Sequence, residues 1–158
     1  MLAPTRLLFI ATLVASLAWI SACDESRDAG ASPGPCEEES RALEYSAGVS
    51  VVGDEGVITA ALMDASPAPP ARYINDWTLA FSASGAQELE GVEVEITPWM
   101  PDHGHGTAAP ITIEALGGGL FTATGIDLFM VGYWEVHIDV SAPDGSWSDR
   151  ATFGFCVE

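Results

Sequence analysis

Two stretches far apart in the chain alternate apolar and polar residues with a period of two. Val92, Val94 and Ile96 are separated by Glu93 and Glu95, and Trp134, Val136, Ile138 and Val140 alternate with Tyr133, Glu135, His137 and Asp139. Successive side chains of a strand point to opposite faces, so this period predicts strands with one buried and one wet face. No stretch after Cys36 carries a helical stripe of useful length. The other apolar runs are short and bounded by turn residues. Trp77, Leu79 and Phe81 give a third inner row, and Val49, Val51, Val57 and Ile58 predict a hairpin across Gly53-Asp54-Glu55-Gly56. Ile111 to Leu116 and Leu120 to Thr124 flank Gly117-Gly118-Gly119, where glycine supplies the positive φ of a tight turn. Asp144-Gly145 turns the chain before a last strand with Phe153 and Phe155. Ser66 to Pro70 holds three prolines and cannot donate a ladder of hydrogen bonds, so it reads as a connection or an edge. Seven to nine strands in about 120 residues predict an all-β domain, a two-sheet β-sandwich of immunoglobulin-like architecture, with an open barrel as the competing arrangement.

The front of the chain is a different object. A single positive side chain, Arg6, precedes the uncharged run Leu7 to Ile20, whose 14 residues are too few to span a bilayer comfortably but match the apolar region of a secretory signal. Ile20-Ser21-Ala22-Cys23 resembles a bacterial lipobox, in which the cysteine is diacylated and becomes the new N-terminus; a plain cleaved signal is the other reading. Two acyl chains anchor stably where one binds marginally. The expectation is a signal peptide over 1–22, a tether over 23–35 rich in Asp, Gly, Ser and Pro, and a folded domain over 36–158. This places the protein on the cell envelope, held to the membrane through its N-terminal lipid.

Charge and cysteine count agree with export. The chain has 23 acidic residues against five arginines and no lysine, a net charge of −18, which excludes binding to nucleic acid or to anionic lipid through its own surface. With Cys23 spent on lipid, Cys36 and Cys156 remain, and an oxidising compartment favours a disulfide between them.

One loop carries ligand chemistry. Pro98-Trp99-Met100-Pro101-Asp102-His103-Gly104-His105-Gly106-Thr107 lies between a strand expected to end near Thr97 and one expected to start near Pro110. It holds two of the three histidines, two residues apart, beside a methionine, in a segment whose glycines allow it to fold back. Imidazole with thioether suits copper, and the thioether selects Cu(I). The same pattern also fits an exposed turn, with Met100 capping the core in phase with Val92, Val94 and Ile96. The third histidine, His137, faces outward between Glu135 and Asp139 and is not a candidate ligand.

The loop, followed by Phe129-Met130-Val131-Gly132-Tyr133-Trp134-Glu135-Val136, resembles the paired signature of the YtkA-like and FixH-like family. These are small exported or membrane-attached β-sandwich domains, with a proline-methionine-proline loop bearing Met or His and, some thirty residues on, a methionine, a glycine and a tryptophan opening a strand. The resemblance covers Arg72 to Val140, and Val131 departs from the proline or alanine usual before the glycine. It implies copper handling linked to respiratory-oxidase assembly, with Met100, His103, His105 and Met130 as the ligand set and an envelope protein as copper donor or acceptor. Met130 also reads as a core residue within Leu128-Phe129-Met130-Val131. If the strands bearing Met100 and Met130 run antiparallel, the two methionines reach the same end of the sandwich.

Catalysis finds no pattern here. The chain lacks a Gly-x-Ser-x-Gly elbow, a phosphate-cradling glycine loop and a His-Glu-x-x-His helix, and only two histidines share a loop, with Asp102 as a conceivable oxygen ligand. Two readings remain: a lipid-anchored copper-binding accessory domain, and a non-catalytic envelope interaction or structural module without metal, in which the same loop and Trp99 contact a partner.

Overall fold

The computed structural model describes residues 34–158. The calls on the signal peptide and on Cys23, and most of the tether, lie outside the described residues.

Nine strands form two antiparallel sheets: β1 (Val49–Val52), β2 (Ile58–Ser66), β3 (Tyr73–Ala83), β4 (Glu93–Met100), β5 (His105–Gly106), β6 (Thr112–Gly117), β7 (Leu120–Leu128), β8 (Gly132–Ser141) and β9 (Ser148–Val157). One sheet has the order β1-β2-β3-β7-β6 and the other β5-β4-β8-β9. With β1 set aside, β2-β3-β7-β6 and β4-β8-β9 reproduce the A-B-E-D and C-F-G sheets of an immunoglobulin sandwich, and β5 extends the second sheet beyond its C position. The alternation seen in the sequence faces the core between them: Trp77, Leu79, Trp134, Val136, Ile138 and Phe153 are all buried. Trp77 packs edge-on against Phe153 and Phe155, with ring centroids 5.9 and 5.8 Å apart, a geometry the aromatic quadrupoles favour. The prolines at 67, 69 and 70 fall in the connection between β2 and β3, where no ladder needs their N–H groups.

Two local expectations change. The strand expected to end near Thr97 continues through Pro98 and Trp99 to Met100, because Thr97, Pro98 and Trp99 stay in register with His137, Val136 and Glu135 of β8. Tyr133, in the outward phase of β8, is buried. A segment N-terminal to β1 covers it: Leu43 donates its N–H to the Gly154 carbonyl at 2.7 Å, and the Arg41 guanidinium lies 4.3 Å from the Tyr133 ring centre. Burial, and then the charge of Glu135, pushes the Tyr133 phenol above its ordinary value.

That segment is tied down at its start. Cys36 and Cys156 are joined by a disulfide with Cα atoms 5.5 Å apart, and Cys156 stands opposite Tyr133 in the β8–β9 ladder. At the other end of β9, Asp149 is 4% exposed, and its carboxylate accepts backbone N–H bonds from Glu55, Val57 and Ile58 at 2.8, 2.8 and 3.0 Å. It therefore knits the β1–β2 hairpin loop to the opposite sheet. Only glycine fits at position 53, since a Cβ there would lie 2.1 Å from the Asp149 carboxylate.

Candidate functional site

The β4–β5 hairpin builds the loop that carries the histidines. Trp99 pairs with Gly106 and Met100 with His105, which leaves Pro101-Asp102-His103-Gly104 as the turn. The Met100 carbonyl accepts from the N–H groups of His103 and Gly104 at 3.1 and 2.9 Å, and Gly104 takes a φ of +67°, a conformation that suits glycine. Gly106 is constrained differently: a Cβ there would meet the Pro98 carbonyl oxygen at 2.4 Å, so the hairpin closes only without a side chain at this position.

The fold brings the two imidazoles together. The His103 and His105 ring centroids are 5.6 Å apart at an interplanar angle of 76°. His103 is exposed and His105 half-buried. His105 stacks on Phe129 at 5.8 Å and meets Trp134 edge-on at 6.4 Å, while its Nδ1 lies 3.3 Å from the Gly106 carbonyl oxygen. A second connection, between β7 and β8, thus supplies the wall against which the turn rests. Trp134 Nε1 donates to the Met130 carbonyl at 2.9 Å, and Arg72 Nε to the Phe129 carbonyl at 2.8 Å, fixing that connection from both sides.

The two methionines reach the same end of the sandwich, since β4 and β8 run antiparallel and Met100 ends one while Met130 precedes the other. They sit differently. Met100 is 2% exposed, and its methyl group occupies the space a Cβ at Gly132 would need. Met130 is half-buried, packed against the edge of the core. Among the described residues, no group of three or more His, Cys, Asp and Glu side chains converges on one point.

Asp102 is committed elsewhere. Arg41 Nη1 and Nη2 donate to its two oxygens at 2.9 and 2.6 Å, while Arg41 also grips Glu39. These bonds from Arg41 hold the Asp102 carboxyl below its ordinary range. The sequence pattern contained no sign of this clamp, because Arg41 and Asp102 are 61 residues apart. His137 faces outward, and its Nε2 lies 3.1 Å from Glu135 Oε2 on the wet side of β8.

Comparison with known proteins finds no family model, no curated protein and no solved structure that matches the chain.

Proposed function

We propose that the protein is a lipid-anchored envelope protein of YtkA-like type whose sandwich domain binds copper, Cu(I) in preference, and buffers it or passes it to another envelope protein without catalysing a reaction. The observation that carries this reading is the histidine pair. An imidazole nitrogen sits about 2 Å from a bound ion and its ring centre roughly 3.2 Å away, so two rings sharing one ion at an angle of roughly 120° have centres about 5.5 Å apart. The His103–His105 ring-centre separation of 5.6 Å is within reach of that spacing, and this proximity is what supports the reading. Thioethers complete a set suited to the soft cuprous ion. Met130, half-buried beside the Phe129 wall, is the nearer to solvent, whereas Met100 would turn its sulfur out of the packing beneath the turn.

Competition for Cu(I) against a calibrated chelator tests the reading. His103→Ala combined with His105→Ala abolishes tight binding, and Met130→Leu or Met100→Leu weakens it while the fold survives. Affinity no tighter than micromolar in the parent, or a double histidine variant that binds as the parent does, sinks the copper reading and leaves a metal-free interaction module.

A further inference from the structure

The chain enters the described domain at the end that carries the histidines. A Cβ at Gly34 would touch the Glu158 carboxylate at 3.0 Å, Cys36 is bonded to Cys156, and Val157 stands opposite Gly132 in the β8–β9 ladder. Gly132 is where the Phe129–Val131 connection enters β8. Residue 34 and the His103 turn therefore share one end of the sandwich, and Arg41 bonds directly from the entering segment to Asp102 in that turn. Cys23 precedes Gly34 by 11 residues. Whatever their conformation, 11 residues span at most about 40 Å.

The same end exposes large apolar side chains. Tyr73 and Ile74 open β3 at 56% and 53% exposure, in register with Leu128 and Asp127, and Val131 is 43% exposed beside them. Tyr73 holds this position at a φ of +78°, a left-handed conformation rare for a bulky residue, with the Arg72 guanidinium 4.6 Å from its ring centre and its carbonyl bonded by Asn75. The net charge of the whole chain narrows the occupant. With 23 acidic residues and five arginines, a second copy of this chain and an anionic bilayer are both repelled. Of the arginines in the described residues, Arg41 and Arg150 are already paired with carboxylates.

We infer that the end of the sandwich that carries His103, His105, Tyr73, Ile74 and Val131 docks on an integral protein of the same membrane, one that presents a basic surface within about 40 Å of the bilayer. This rests on the lipid-anchor part of the proposed function and stands independently of the copper. The tether makes the encounter intramembrane, which raises the effective concentration of a partner in the same bilayer and excludes one held far from it. The acidic domain meets a basic partner, and the apolar rim supplies the contact that charge alone does not.

Photo-crosslinking in cells tests it, using full-length protein with a benzophenone side chain at Tyr73, at Val131, or at Leu116 beside the β6–β7 turn at the other end. The expected result is one shared adduct from Tyr73 and Val131, absent from Leu116, with a protein that resists alkaline extraction of the membranes. Its yield falls several-fold in about 0.5 M salt, where the screening length is only a few ångströms, and at least tenfold in Cys23→Ser. Adducts with lipid alone, with a second copy of this chain or with soluble envelope proteins overturn the inference, as does equal labelling from Leu116. Fractionation separates the two claims. A parent protein that does not partition with membranes overturns the anchor and the docking together, whereas a membrane-bound parent without the adduct overturns the docking alone.

Discussion

The methyl group of Met100 lies where a side chain at Gly132 would have to go, 2.7 Å from the position of a Cβ there. Gly132 also takes a φ of +123°, and Met100 is buried at 2% exposure with the end of its flexible side chain against Gly132. Gly132→Ala therefore displaces Met100 and strains the start of β8. The expected loss of stability is about 1–3 kcal/mol, chiefly from the strained backbone at this φ, read by denaturant unfolding, together with a shifted Met100 methyl resonance. An unchanged methyl resonance contradicts the packing described.

Asp149 ties stability to pH through its hydrogen bonds. Burial pushes its carboxyl upward, but the backbone N–H groups of Glu55, Ile58, Val57 and Arg150 outweigh this and hold it below the ordinary value of 3.8. A depressed folded value means stability that is fully present above the unfolded value and lost as pH falls through the folded one. Asp149→Ala leaves several buried donors unsatisfied, which costs about 3 kcal/mol at neutral pH. Thermal unfolding from pH 6 down to pH 2 should show a shallower decline in Asp149→Asn than in the parent.

Reduction of the Cys36–Cys156 disulfide frees a loop that closes across a separation of 120 residues. The chain-entropy model assigns such a closure about 4 to 5 kcal/mol. Reduced protein, or the Cys36→Ser, Cys156→Ser double variant, should unfold at a clearly lower denaturant midpoint. Two free thiols titrating in the native protein contradict the bond.

Arg41 acts locally. It joins Glu39, Asp102 and the Tyr133 ring from an exposed position, so Arg41→Ala should leave the global unfolding midpoint nearly unchanged. The turn should loosen instead, with faster amide exchange at His103 and Gly104, whose N–H groups bond to Met100. Exchange as slow as in the parent shows that the turn holds itself without the clamp.

Much of the sandwich was legible in one dimension because its causes are periodic and local. The alternation through Trp134 to Val140 follows from the pleat, and the triple glycine at 117–119 and the Asp144-Gly145 pair mark turns through backbone freedom alone. The His-x-His spacing likewise announced two imidazoles on one short hairpin, since Gly104 permits the reversal that sets them 5.6 Å apart.

Other features arise only when distant segments meet. Tyr133 reads as wet by its phase and is buried because the Arg41–Leu43 segment crosses it. Asp149 looks like one more surface acid among 23 until the β1–β2 loop turns three N–H groups toward it. Asp102, an apparent oxygen ligand beside two histidines, belongs to an arginine 61 residues away. Period and turn chemistry are properties of neighbouring residues and survive in the linear chain. Desolvation and the partner of a charge depend on what the fold lays over a residue, and that is decided by long-range packing.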